Sequence, residues 1–291
     1  MSKKDSDIKL KYQDMSLNFS TPEKYILSIR ISPDGFSFSI LDGLKSKFVG
    51  FHSFTFGTAD SSIKLCKEID FIYENNKWLQ GNFRKVFVLI ETPKSTLIPE
   101  PLFEASEKEL YLKFNHTINS YEQIVVDFLK NVDAYNVFAI PDCLKYRIQK
   151  YYKRYKIVHY STPLIESLLI NNKNINLDKT VFLNMREKNM DIVILKDQRL
   201  RYFNSFHYQS KEDILYYLLF VLEQLGYNPE EVEVKLIGNI KKVSEEYDLL
   251  FQYIRNISFE ERTGVFAYSY VFDKVASHFN YTLFNVNICE L

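Results

Sequence analysis

One pattern constrains this chain more than any other: a three-strand meander written twice. In the second copy, Thr180–Met185, Asp191–Leu195 and Arg201–Tyr208 are separated by the polar turns Glu187-Lys188-Asn189 and Lys196-Asp197-Gln198. In the first, Tyr25–Phe56, the pairs Ile29, Ile31 and Phe36, Phe38, Ile40 alternate with polar residues across Ser32-Pro33-Asp34-Gly35. Alternation with period two buries one face of a strand, and Pro-Asp-Gly presets a turn between two strands. After Asp42-Gly43, the third strand places Phe48, Gly50, Phe54 and Phe56 on one face and Val49 and Phe51 on the other. Two such meanders predict two units of related design.

The segments after the two meanders are also alike, each beginning with a helix and a buried strand. Ser61–Tyr73 carries Ile63, Leu65, Ile69 and Ile72 at helical spacing, and Val86–Ile90 is an apolar run of the length of a strand buried on both faces. Tyr111–Ile118 and Glu122–Leu129 read as two further strands in a small excursion. Val137–Ile140 is a short strand stopped by Pro141, with Asp142 expected to cap a helix bearing Leu144, Ile148, Tyr151 or Tyr152, and Tyr155. Lys156–Tyr160 returns as a strand, and a helix starts near Pro163.

In the second half, Ser210 with Asp213 forms a capping box for a helix that turns Ile214, Leu215, Leu218, Val221, Leu222 and Leu225 inward and stops at Gly226. Val232–Ile237 is the next strand, Lys241–Tyr253 and Gly264–His278 read as helices, and Tyr281–Cys289 is an apolar tail. The division that results is an arm over 1–24, a first lobe over 25–178 with an inserted segment about 92–130, and a second lobe over 179–291. The polar stretch Asn171–Asp178 joins the lobes.

Bulk composition excludes several function classes. The 37 basic and 37 acidic residues balance, so attraction to nucleic acid or anionic lipid is not a property of the whole chain. The three cysteines, Cys66, Cys143 and Cys289, form no C-x-x-C, and the expectation is reduced, packed thiols. No secretory signal or membrane-spanning run is apparent, which implies a cytoplasmic protein without membrane insertion. Glycines number 8, few for a chain that would cradle phosphates against its backbone.

The order meander, helix, strand, helix, strand, helix resembles the ribonuclease H-like lobe. Two such lobes, each a meander plus helices on a mixed sheet, are the α/β actin-like ATPase fold. Within that class the pattern of Glu122–Leu169, with Ile124-Val125-Val126-Asp127, Val137–Pro141 and Ser161–Glu166, is similar to the pilus-assembly protein PilM and the cell-division protein FtsA. A nearer resemblance is to an uncharacterised bacterial family, domain of unknown function 3822. It rests on the Tyr25–Asp42 opening, Phe138-Ala139-Ile140-Pro141, the Ser210–Leu225 helix and the Leu283-Phe284-Asn285…Cys289 ending.

The actin-like resemblance implies an Asp-x-Gly at the end of the first strand of each lobe, its carboxylate organising Mg²⁺ and its glycine letting backbone N–H groups reach phosphates. The matching positions here are Arg30-Ile31-Ser32 and Asn184-Met185-Arg186, with neither carboxylate nor glycine. Asp34-Gly35 falls within the hairpin turn, and Leu236-Ile237-Gly238-Asn239 keeps one glycine where the resemblance implies a pair. Ser32, Asp34, Arg186 and Gly238 are therefore the residues that would line a residual ATP/Mg²⁺ cleft. The five histidines occur singly, which reads as packed or solvated side chains rather than metal ligands.

The expectation is a non-catalytic scaffold with a protein partner and no cofactor, its oligomeric state open. Two alternatives stand beside it. One is a divergent ATPase or kinase-like enzyme. The other is an RNA-associated protein using the basic, tyrosine-rich stretch Lys145–Lys156, with Lys150, Lys153 and Arg154 as its contacts.

Overall fold

Both meanders form. The computed structural model describes residues 7–56, 61–174 and 179–290, and these resolve into two compact units. The first holds the chain up to Leu164 together with Gly264–Lys274 and Thr282–Leu291; the second holds Ile165–Thr263 and Val275–Tyr281.

In the first unit β1 (Asp7–Gln13), β2 (Tyr25–Ser32), β3 (Gly35–Asp42) and β4 (Lys47–Thr55) precede α1 (Ser62–Asn75). The expected arm over 1–24 is thus partly a strand, β1 lying antiparallel on β4, and its residues 1–6 fall outside the described residues. Ser61 caps α1 by accepting the Lys64 N–H. Next come β5 (Lys85–Ile90), β6 (Ser95–Pro99), α2 (Lys108–Lys113), β7 (Glu122–Leu129), β8 (Ala134–Pro141), α3 (Asp142–Tyr151) and β9 (Tyr155–His159). The main sheet runs β1-β4-β3-β2-β5-β9, antiparallel through the meander and parallel from β2 to β9. β6, β8 and β7 form a separate antiparallel sheet.

The core lies between one face of the main sheet and α1 with α3. Ile29, Ile31, Phe38 and Val88 meet Cys66, Ile69, Leu144 and Ile148 there. Each fully buried aliphatic side chain contributes about 1.5–3 kcal/mol through removal from water.

α4 (Ser161–Asn171) carries the chain across the division between units. The second unit contains β10 (Thr180–Met185), β11 (Asn189–Lys196), β12 (Arg199–His207), α5 (Lys211–Gln224), β13 (Glu233–Gly238), α6 (Glu245–Tyr253) and β14 (Asn256–Phe259). Its sheet runs β12-β11-β10-β13-β14, antiparallel, antiparallel, parallel, parallel. That is the order and sense of β4-β3-β2-β5-β9, so the duplication seen in the meanders extends to the next two strands. The Ser210–Asp213 capping box forms in both directions. Gly226, at φ +70°, ends α5 while the Tyr227 N–H donates to the Leu222 carbonyl. Ile214, Leu218 and Leu222 of α5 and Leu250 of α6 pack on Val181, Ile192 and Leu236 of the sheet.

β15 (Ala267–Tyr268) then pairs in parallel with β4, and α7 (Tyr281–Asn285) comes after it. The stretch Gly264–His278 is therefore a short strand with a 3₁₀ turn at Tyr270–Phe272 instead of a helix. Its aromatics have a better partner than each other: Phe48 of β4 meets Phe266, Tyr268 and Phe284 at ring separations of 5.5, 5.2 and 4.9 Å. This return of the tail to the first unit, and the division inside α4, differ from a boundary at 178.

Four local expectations are corrected. A bulge in β4 pairs Ile40 with Gly50 and Leu41 with Phe48, leaving Val49 as the extra residue. The bulge exchanges two faces: Val49 joins the helix-side core, and Phe48 joins Phe51 against Phe284. Tyr111–Ile118 is not a strand: α2 covers Tyr111–Lys113, and Leu112 is fully buried with Val137 and Ala139. Asp142 is the first residue of α3 and makes no side-chain cap, Pro141 occupying the cap position. Finally, Cys66 of α1 and Cys143 of α3 are joined in a disulfide, their Cα atoms 6.4 Å apart, rather than being separate thiols.

Candidate functional site

The ends of β2 and β10, the first strands of the two meanders, are where the Asp-x-Gly positions fall. In the first unit the Arg30 side chain of β2 extends to Glu91, the residue after β5. Both Nε and Nη2 donate to one carboxylate oxygen, at 2.9 and 2.6 Å. The parallel pairing fixes this meeting, since the Glu91 N–H donates to the Ile31 carbonyl. Glu91 is buried, and its carboxylate gains from a charge-assisted donor.

Ser32, at the end of β2, is 1% exposed, and its hydroxyl donates to the Gly35 carbonyl inside the turn. Asp34 is half-buried in that turn, its carbonyl accepting the Phe56 N–H. A Cβ on Gly35 would stand 2.5 Å from the Phe54 carbonyl oxygen, so this glycine serves the close approach of β4.

The second unit also holds a guanidinium–carboxylate pair, placed differently, within the β10–β11 hairpin. Arg186 comes directly after β10 and forms a two-point pair with Asp191 of β11: Nε to Oδ2 at 3.0 Å and Nη2 to Oδ1 at 2.7 Å. Asn184 adds a third donor to Asp191 at 2.8 Å, and Asp191 is fully buried. Arg186 Nη2 also donates to the Ser205 hydroxyl. Gly238 closes β13 beside Met185, at φ +85°, where a Cβ would lie 2.1 Å from the Met185 carbonyl oxygen. Its N–H donates to the His278 carbonyl, and the next residue, Asn239, donates to Met185. Arg186 and Gly238 thus sit at the ends of neighbouring strands, β10 and β13, of one unit, and Ser32 and Asp34 at one hairpin of the other.

Glu91 and Asp191 were missed by reading the sequence. Asp191 left a signal: a carboxylate at the head of the apolar run Ile192–Leu195 needs a buried partner. Glu91, beyond a strand end, left none.

The basic stretch divides into an inner and an outer part. Lys150, Lys153 and Arg154 are exposed. Tyr152 is buried, its hydroxyl donating to the Leu79 carbonyl, and Tyr151 stacks on Tyr73 at 3.5 Å and donates to Asp70. Of the histidines, His52 stacks on Trp78 at 4.2 Å, His159 lies in a buried network with Asn136 and Ser161, and His278 bonds the Ile240 carbonyl. Among the described residues there is no group of three His, Cys, Asp or Glu side chains that could hold a metal ion. No helix among them is long and apolar enough to cross a membrane.

Two units, each a meander continued by parallel strands and packed against helices, make up the actin-like ATPase fold. A solved protein of unknown function with that fold, from Bacteroides thetaiotaomicron, is similar at 27% identity and a TM-score of 0.74, over 84% of this chain and 93% of that one. A chain of the PilM–PilN type IV pilus biogenesis complex shares the fold at 11% identity and a TM-score of 0.52, over 85% of this chain and 91% of that one. Residues 14–257 match the family described as protein of unknown function (DUF3822), and the chain belongs to that family. No curated protein matches it.

Proposed function

We propose that this protein is a non-catalytic member of the actin-like fold that works in the cytoplasm as an interaction scaffold. One observation carries the reading: near the end of the first strand of each meander a guanidinium takes part in a two-point pair with a carboxylate. The pairs are Arg30–Glu91 and Arg186–Asp191. A Mg-nucleotide needs a carboxylate facing the metal and open backbone N–H groups facing the phosphates. These residues do not fit that requirement. Arg30 stands in the carboxylate position and pairs with Glu91, Asp191 is held by Asn184 and Arg186, and Ser32 and Arg186 stand where glycine is needed.

The partner is a protein, by analogy with the PilM–PilN complex, and docks on the first unit as an extended peptide or strand. The inward packing of Tyr151 and Tyr152 weighs against base stacking by the Lys145–Lys156 stretch.

Thermal unfolding with and without millimolar Mg-ATP tests the proposal, because a ligand that binds the folded state raises the midpoint. No shift is expected. A clear upward shift would overturn the eroded-site reading, and ATP turnover lost on Asp34→Ala would establish the enzyme alternative.

A further inference from the structure

α1 and α3 lie side by side on the main sheet of the first unit and are fastened at three successive levels. Cys66 is bonded to Cys143 at the first. One turn on, Arg147 Nε and Nη2 donate to the two Asp70 oxygens at 2.8 and 2.6 Å. One turn further, Tyr73 and Tyr151 stack with an interplanar angle of 10°. Steps of three and four residues keep all three contacts on one face of each helix. Burial alone would raise the Asp70 carboxyl, but hydrogen bonds from Arg147 and Tyr151 and the Arg147 charge bring it below its ordinary value.

Beneath this seam lies a small apolar cavity of about 20 Å³. The helices roof it with Ile69, Tyr73, Leu144 and Tyr151, and Ile29 and Ile31 of β2 form its floor. Ile29 and Ile31 flank Arg30, and Ile31 immediately precedes Ser32, so the seam rests on the back of the strand that carries those residues. A change in the separation of α1 and α3 therefore alters what supports β2.

The two cysteines differ in exposure. Cys66 is 1% exposed, whereas Cys143 is half-buried, in the first turn of α3. We propose that the Cys66–Cys143 bond is a reversible latch on the α1–α3 seam, opened and closed by exchange with a dithiol. A thiolate of the dithiol attacks Cys143 Sγ, breaking the S–S bond and releasing Cys66 as a thiolate that takes up a proton. The second thiol of the reagent then attacks its own sulfur in the mixed disulfide and expels Cys143, which is protonated in turn. Two electrons and two protons pass to the protein, and the dithiol leaves as a cyclic disulfide. With the latch open, the seam keeps the ion pair and the ring stack but loses its covalent end. The ion pair is part-exposed, so solvent screening leaves it a weak fastening by itself. The open seam therefore fluctuates locally.

The test uses the full chain equilibrated in mixtures of reduced and oxidised dithiothreitol, quenched with a maleimide and mapped by peptide mass. Hydrogen exchange is measured on the same samples. Cys66 and Cys143 should titrate together without denaturant. On reduction, exchange in Ser62–Asn75 and Asp142–Tyr151 should rise about tenfold or more, while β10 and β13 stay unchanged. The double variant Cys66→Ala/Cys143→Ala should show the reduced pattern in every mixture. Both cysteines labelled in fully oxidised buffer, reduction only after global unfolding, or a double variant that exchanges like the oxidised protein would each overturn the latch.

Discussion

His52 makes the first unit sensitive to mild acid. It is 2% exposed on β4, sandwiched against Trp78 and near Phe38, with Nδ1 facing the Asn76 amide at 3.1 Å and Nε2 buried without a hydrogen-bond partner. Burial, assisted by the charge of Lys11, lowers its pKa from 6.5 to about 4. The unfolded chain therefore takes up this proton first as pH falls. The contribution is fully present above pH 6.5, is lost progressively towards pH 4, and is constant below that.

At about 1.4 kcal/mol per unit, the whole window is worth about 3 kcal/mol, of which about 2.5 is lost by about pH 4.5. Trp78 is the single tryptophan of the chain, so its fluorescence reports unfolding of this unit. Urea titrations at about pH 7.5 and about pH 4.5 would compare the wild type with His52→Phe, which keeps the ring against Trp78 and cannot titrate. The acid-induced loss should be about 2.5 kcal/mol larger in the wild type, carboxylates elsewhere cancelling in the comparison. Equal losses in the two proteins would refute the reasoning, because burial of a neutral imidazole would then carry no proton linkage.

The second unit offers two further outcomes. Gly238→Ala combines a left-handed φ with a Cβ 2.1 Å from the Met185 carbonyl oxygen. It should loosen the end of the β10–β13 pair by more than about 1 kcal/mol, read as faster amide exchange at Asn239. Ser210→Ala removes the side-chain acceptor of the Asp213 N–H and should cost about 1 kcal/mol. That loss would appear as a lower midpoint for α5, and the capping reading fails if the midpoint is unchanged.

Much of this protein was settled by short-range rules in its sequence. Alternation at Ile29–Ile40 specified the first meander, apolar runs separated by polar turns specified the second, Ser210 and Asp213 specified the start of α5, and Gly226 its end, because each rule acts within a few residues of backbone. Tertiary structure decided the rest. Nothing local distinguishes Phe48 from Val49, yet a bulge exchanges their faces, and the aromatic tail, more than two hundred residues away, covers Phe48. Glu91 meets Arg30, 61 residues away, and Cys66 meets Cys143, 77 residues away, only once strand order and helix packing bring them within bonding distance. A side chain's partner across a sheet or a helix pair is chosen by topology, which no window of sequence contains.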